Sequence, residues 1–377
     1  MSSFALFLVA FVIGLDEFLL GPLLTPIGTD LGVAPERVAL FVAAYNLPLA
    51  LLAPVFGALS DRVGRRSVLL PAVVVFGLAS LATAVAPSFP LGIAARLLTG
   101  VAAAGMLPVA FALASESGDS ATQISRVQAG LTLGIILGPL NGALMDQFGH
   151  WRLAFVALAV LAALLALPLR TLPGRAGPGA GPAPGGLRRQ LPAALPGLLG
   201  MGAGLGGAIG IFALLGERFR DLYALDTFGI SVIYAGFGAM TILGNLAMPV
   251  LARRAGPLAA AGGCLLVVLT GILLLFGLPS ALVATTGLAL ACWAVFGGAA
   301  APALQAALAE TGGANRGLML ALGASFLNAG TAASSALAAE LHLLAPHWVA
   351  WQGAALIAPV ALVLLWAARR VPAARAT

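Results

Sequence analysis

Gly57-Ala58-Leu59-Ser60-Asp61-Arg62-Val63-Gly64-Arg65-Arg66 lies between two apolar blocks, 37–59 and 68–86. Each block is about as long as the roughly 20 apolar residues a helix needs to cross a hydrocarbon core. The decapeptide therefore predicts a short polar turn at a membrane surface. Gly57 and Gly64 permit close backbone approach and a tight turn. Asp61 can accept hydrogen bonds from the neighbouring arginines and cap a helix N-terminus.

The same pattern of charge clusters separating apolar blocks continues in both directions. Spans are predicted near 3–24, 37–59, 68–86, 89–113, 124–146 and 152–171, then near 191–216, 226–252, 257–277, 281–306, 316–340 and 346–369. The first block lacks a basic leader and a cleavage site and carries Asp16 and Glu17, so it reads as a retained helix and not a signal peptide. The fold class is all-α integral membrane with twelve helices.

Composition supports this reading. Of 377 residues, 61% are hydrophobic and 8% charged, whereas soluble domains are about a quarter charged. A soluble fold, a disordered chain and a disulfide scaffold are excluded, the last because the cysteines are Cys264 and Cys292 alone. The net charge of +6 comes from arginines scattered between apolar blocks, which argues for topology and against nucleic acid. With the N-terminus inside, the clusters at Arg62/Arg65/Arg66, Arg188/Arg189, Arg253/Arg254 and Arg369/Arg370 are all cytoplasmic, and few arginines fall outside. This bias sets both termini in the cytoplasm, and an Ala-, Gly- and Arg-rich chain without lysine suggests a bacterial cytoplasmic (inner) membrane.

Residues 172–190 are rich in Pro and Gly and lack an apolar period, predicting a cytoplasmic linker between an N-terminal half, 1–171, and a C-terminal half, 191–377. The halves look duplicated. Leu59-Ser60-Asp61-Arg62-Val63-Gly64 aligns with Leu251-Ala252-Arg253-Arg254-Ala255-Gly256 at an offset of 192, and His150-Trp151 recurs as His347-Trp348 at 197. Gly100 with its alanines matches Gly297 at the same 197. Two related halves around a midplane site are the physical signature of a secondary transporter.

Three motifs resemble the major facilitator superfamily. The 57–66 decapeptide resembles its G-x-L-x-D-R-x-G-R-R loop, with Gly57, Asp61, Arg62, Gly64, Arg65 and Arg66 at the matching places. The resemblance implies a gating role for Asp61 through a contact with the eleventh helix, near Arg316-Gly317. Arg96-Leu97-Leu98-Thr99-Gly100 resembles the R-x-x-x-G element implicated in proton transfer, with Thr99 in place of the common Gln. Gly130, Gly134 and Gly138-Pro139-Leu140-Asn141-Gly142-Ala143 resemble the antiporter signature G-x-x-x-G-P-x-x-G-G, with Ala143 in place of the last Gly. In that comparison Gly134, Gly138, Pro139 and Gly142 carry the signature of drug and metabolite efflux by proton exchange. The resemblance implies two pseudo-symmetric six-helix halves, a monomer, and the drug:proton antiporter group.

Arg96 inside a span costs about 2.5–3.5 kcal/mol on insertion scales, so it needs a partner or a wet cavity. Asp16 is the candidate: Arg96 lies roughly 10 Å below the outer surface and Asp16 about 20 Å above the inner one. Asp16, Glu17 and Arg96 are the proposed proton-coupling set. Neighbouring helix positions diverge by about 100°, so Asp16 and Glu17 do not both point the same way, and Asp16 is favoured. A static buried ion pair is the alternative. Substrate candidates are Tyr45, Asn46, Asn141, Trp293, Gln305, Phe326 and Asn328, with Asn141 and Asn328 read as buried amides at corresponding places. In the C-terminal half Asp226, Glu310 and Glu340 sit near span ends, which favours an apolar, weakly polar or zwitterionic small molecule.

No G-x-x-x-x-G-K-[ST] segment supports nucleotide-driven transport, and His150, His342, His347, Cys264 and Cys292 have no metal-ligand spacing. The expectation is a transporter and not an enzyme, with the proton as coupling ion, no cofactor or metal, and the bilayer and a small molecule as partners. The competing readings are a proton-coupled importer or facilitator of a sugar, amino acid or other metabolite, a non-transporting sensor and an intramembrane hydrolase.

Overall fold

The computed structural model describes residues 2–116, 120–170, 187–278 and 282–370. Among them are twelve helices long and apolar enough to cross a membrane. They are α1 (Phe4–Leu31), α2 (Pro35–Val63), α3 (Arg65–Ala84), α4 (Phe89–Ala114), α5 (Thr122–Gln147) and α6 (Arg152–Leu169), then α7 (Gln190–Phe212), α8 (Thr227–Ala255), α9 (Pro257–Gly277), α10 (Val283–Gly312), α11 (Arg316–Leu344) and α12 (Pro346–Arg370). Most of the predicted linker, 171–186, lies outside the described residues.

Two boundaries differ from the sequence reading for local reasons. α1 continues to Leu31 beyond the expected 24, because Pro22, which has no N–H to donate, sits in a 3-10 turn, Gly21–Leu23, that hands over to a second helical stretch, Leu24–Leu31. α7 ends at Phe212, short of the expected 216, and the chain restarts as a separate helix, Leu215–Tyr223. That short helix is amphipathic, with Glu217 in its first turn and Arg220 in its last.

By internal contacts the chain forms two units. The first comprises Met1–Ala180 with Ala213–Gly236, and the second Gly181–Phe212 with Phe237–Thr377. The short helix and the start of α8 thus pack with the first six helices. Within the first unit the tightest seam joins α1 to α5, and α3 packs on α6 and α2 on α4. Within the second, α7 packs on α11 and α9 on both α10 and α12.

The sequence repeat has a structural counterpart. Gly64, joining α2 to α3, has φ +95°, and Gly256, joining α8 to α9, has φ +81°. Both occupy the left-handed region that a side chain disfavours, so the two helix-to-helix turns share one requirement. A Cβ on Gly14 of α1 would strike the Leu131 carbonyl of α5, and one on Gly206 of α7 would strike the Leu327 carbonyl of α11. Gly200–Gly206 is wound as a π-helix, and Gly330 of α11 lies directly against the Gly202 carbonyl. The missing side chains let the widened turn and α11 meet backbone to backbone.

Candidate functional site

In the first unit, α1 carries Asp16 and α4 carries Arg96 to the same depth, where Arg96 Nη1 donates to Asp16 Oδ1 at 2.6 Å. The side chains are 0% and 1% exposed. The Tyr45 ring of α2 lies beneath the guanidinium, 4.8 Å from Cζ to the ring centroid, and Phe155 of α6 is 5.7 Å away. One charge pair therefore ties α1 to α4 and stacks on α2 and α6, with water excluded. Asp16 Oδ2, Arg96 Nε and the Tyr45 hydroxyl have no hydrogen-bond partner among the described residues. Polar atoms left unpaired in so apolar a setting cost energy; Asp16 Oδ2 is free to accept a proton or a water's hydrogen, and Arg96 Nε and the Tyr45 hydroxyl are free to donate to a water. Glu17, one position on, is half-buried.

The antiporter-like glycines set the position of the acid. Cβ atoms on Gly130, Gly134 and Gly138 would collide with the carbonyls of Phe7, Phe11 and Leu15, and one on Gly142 would press on Leu19. Four successive α5 glycines thus seat the stretch of α1 that contains Asp16. Ala143, where the pattern has Gly, is fully buried without disturbing the seam, and α5 runs unbroken through Pro139.

The α2–α3 turn forms its own network. Arg65 pairs with Asp61, donates through Nη1 to Ser60 Oγ at 2.6 Å, and donates through Nε and Nη2 to Glu116 beyond α4 at 2.9 and 2.7 Å. Arg62 is exposed and Arg66 half-buried. Gly57 differs from expectation: no atom lies within 4 Å of where its Cβ would be, so it makes no close approach within the helix packing described. Gly64 alone supplies the tight turn.

The predicted substrate residues do not converge as a group. Tyr45 belongs to the ion-pair cluster. Asn46 is buried, and its amide donates to the Val42 carbonyl at 2.9 Å, one turn back on its own helix. Asn141 and Asn328 were expected to be buried amides, but both are half-buried, and Asn328 donates to Ala324 O at 2.9 Å. The glycine faces occupy the seams, which turns the asparagines away from them. Gln305 is exposed. Phe326 lines an apolar groove of about 280 Å³ within the second unit, beside Gly202, Gly330 and Leu356.

Trp293 is buried against Phe212, with ring centroids 5.8 Å apart and edge-on, and against Phe237 at 6.1 Å. Its position matches that of Arg96 by the repeat offset of 197, and Phe237 matches Tyr45 by 192. The second unit thus has aromatic packing where the first has charge. Asp226, noted as a span-end acid, caps α8 by accepting the Gly229 N–H at 2.8 Å.

Two polar clusters escaped the sequence reading because their members are far apart in the chain. Asp30 of α1 accepts from Arg152 Nη2 at 2.6 Å and from Trp151 Nε1 at 3.2 Å, while Arg152 Nη1 donates to the Ala84 and Ala86 carbonyls at 2.8 Å each. This joins the far ends of α1, α3 and α6. The second cluster joins Thr25 to Glu217 of the short helix. Its one sequence signal was the amphipathic Leu215–Tyr223 segment between two spans.

The sequence matches the Major Facilitator Superfamily over residues 6–311. It is 31% identical over 285 residues to a chloramphenicol resistance protein of Streptomyces lividans, covering 71% of each chain. It is 34% identical over 161 residues to a triacylglyceride transporter of Mycobacteroides abscessus, covering 40% of this chain, but it spans only 31% of that protein's length. A multidrug efflux pump of Mycolicibacterium smegmatis is 34% identical over 177 residues, 45% of this chain and 35% of the pump. Among solved structures, a nucleoside transporter superposes with a TM-score of 0.75 at 15% identity, covering 98% of this chain and 99% of that one. A D-xylose–proton symporter also reaches 0.75 at 15% identity, covering 96% of each chain. The relatives are named as transporters and resistance proteins, the fold neighbours are transporters, and the twelve spans make this a multi-pass membrane protein. With the family match covering most of its length, the chain belongs to the Major Facilitator Superfamily.

Proposed function

We propose that this protein is a secondary active transporter of the bacterial cytoplasmic membrane that exports a small apolar or weakly polar molecule in exchange for protons. Both termini face the cytoplasm in this reading, which the arginine distribution supports. The two halves, 1–171 and 191–377, work as a monomer around the 172–190 linker, with no cofactor beyond the coupling proton.

The observation that carries the reading is the Asp16–Arg96 pair, dry and seated by the α5 glycines. Proton exchange needs a carboxylate whose charge can be cancelled inside the membrane. Protonating Asp16 breaks the ion pair and frees Arg96, which changes what holds α1 to α4. Substrate arriving from the cytoplasm and a proton arriving from outside then favour opposite states of one helix pair. The names of the relatives, for chloramphenicol resistance, multidrug efflux and triacylglyceride transport, support an apolar cargo. So does the aromatic cluster of Trp293, Phe212 and Phe237 in place of a second charge.

The test is a proteoliposome assay with an imposed pH gradient and an entrapped pH dye, screening chloramphenicol, lipophilic cations, sugars and amino acids. Substrate-dependent proton movement in wild type that vanishes in Asp16→Asn supports exchange through this pair. Substrate flux equal in both proteins, with no proton movement, replaces exchange with facilitated diffusion.

A further inference from the structure

The short helix Leu215–Tyr223 is fastened to the end of α1 by contacts that the ion pair at Asp16 does not use. Thr25 Oγ lies 2.9 and 2.7 Å from the two carboxylate oxygens of Glu217, so its hydroxyl is shared between them. Arg220 Nη2 donates to the Pro22 carbonyl at 3.0 Å, an acceptor in the 3-10 turn of α1, and Nη1 reaches Leu225 O at 3.3 Å. Its Nε is 3.5 Å from Glu217 Oε1, a loose pairing. Below these, the Tyr234 ring rests on Gly21, leaving no room for a Cβ there, and the Tyr234 hydroxyl accepts the Gly216 N–H at 3.1 Å. Asp146 at the end of α5 accepts a hydrogen bond from Thr227 and feels Arg220.

Glu217 is only 6% exposed although it lies between two spans, where bulk water begins. The charged and titratable groups that face it are Arg220 on its own helix, Glu36 at the start of α2 and the Tyr234 phenol of α8. Arg220, with Nε 3.5 Å from Oε1, is the cation that faces it among the described residues.

We infer that Glu217 is a second proton-binding site, on the outer side of the membrane, and that its neutral form holds the 213–236 segment on the end of α1. The inference rests on the orientation and proton exchange proposed above. Both ends of that segment are continuous with second-unit helices, at Phe212 and Phe237, while its contacts are with the first unit.

Burial pushes the Glu217 carboxyl above the usual carboxylate range; the Thr25 hydrogen bond and Arg220 pull it down, and Glu36 adds to the upward push. Once the segment lifts, water solvates the carboxylate and returns it towards its ordinary value of about 4.3. An acid whose pKa is higher in the closed form favours closure most at low pH. That preference falls as pH rises from the ordinary value through the closed-form value. A neutral Glu217 keeps a hydrogen bond with Thr25, and Arg220 keeps the Pro22 carbonyl, so protonation does not undo the latch. A proton arriving from outside thus favours the form in which the segment is held on the end of α1.

The experiment is a spin-label distance measurement on the full chain in nanodiscs, without cargo or gradient. Labels go at Thr29→Cys on α1 and Phe228→Cys on α8, both exposed, with Cys264 and Cys292 replaced by alanine. In wild type the longer-distance population should grow as pH rises from about 4 to 8, across the ordinary carboxylate range. In Glu217→Gln the short distance should persist at every pH. A glutamine variant that keeps the wild-type pH response, or a wild type without one, overturns the inference. Should Glu217→Gln fail to fold, Thr25→Ala decides: it should raise the longer-distance population at each pH, and an unchanged distribution overturns the latch. Because no transport is measured, failure of the exchange reading shows separately, as an intact pH response with no substrate-linked proton movement in liposomes.

Discussion

Thr25 and Glu217 are 192 residues apart and meet hydroxyl to carboxylate at 2.7 Å. The same separation relates Gly64 to Gly256, both at positive φ, and Gly14 to Gly206, both against a partner helix's carbonyl. Positions that are equivalent in the sequence repeat thus bond to each other. There the repeat has diverged, a hydroxyl in one copy facing a carboxylate in the other.

Asp16→Asn should leave the protein folded and able to bind cargo while cutting proton-linked flux at least tenfold, because an amide still accepts from Arg96 but cannot take up a proton. Arg96→Leu should be far worse for stability, by about 3–5 kcal/mol, since it strands a buried carboxylate. Thermal unfolding in detergent alongside the liposome assay separates the two; equal stability loss in both variants would reduce the pair to a packing feature.

The α1–α5 seam predicts a sharp contrast between glycines. Gly134→Leu and Gly138→Leu should abolish the folded monodisperse protein or its transport, as their side chains have only the α1 backbone to enter. Gly57→Ala should be neutral or stabilising by up to about 1 kcal/mol, because the site is open and helical. Size-exclusion profiles and flux for the three variants check this, and an inactive Gly57→Ala would point to a contact made in another state.

At the α2–α3 turn, Asp61→Asn should slow turnover while changing stability by no more than about 1 kcal/mol, as expected for a partly exposed pair. Insertion, followed by protease protection or a C-terminal reporter, should be normal. Unchanged turnover would leave Asp61 without a gating role.

Trp293→Ala should destabilise by about 3–5 kcal/mol through the cavity it leaves between Phe212 and Phe237. Trp293→Phe should recover most of that. Proton binding at Asp16 should be untouched in either, which a pH titration of the purified variants would show.

Glu217 adds a pH term to stability. Its carboxyl is raised in the folded protein, chiefly by burial, so its contribution is fullest below the ordinary carboxylate range and is lost as pH rises through the folded value. Melting temperature should therefore fall with rising pH more steeply in wild type than in Glu217→Gln. Parallel curves would mean the carboxylate is as well solvated folded as unfolded.

Sequence alone determined the class and its twelve spans. Hydrocarbon demands runs of apolar residues with every backbone group satisfied internally, so twelve blocks between charge clusters could only be twelve helices. The arginine placement, the 57–66 turn and the Gly134–Gly142 spacing were legible for the same reason, since each is a local pattern read within one or two turns. The depth match of Asp16 and Arg96 followed from helix rise alone. What the sequence left open was which faces meet. Only the tertiary structure turned Tyr45 under Arg96, put Gly57 in open space, moved Asn141 and Asn328 out of the helix seams, and carried Glu217 to Thr25. Those outcomes depend on how helices rotate and approach one another, which close packing between distant segments decides and no local period encodes.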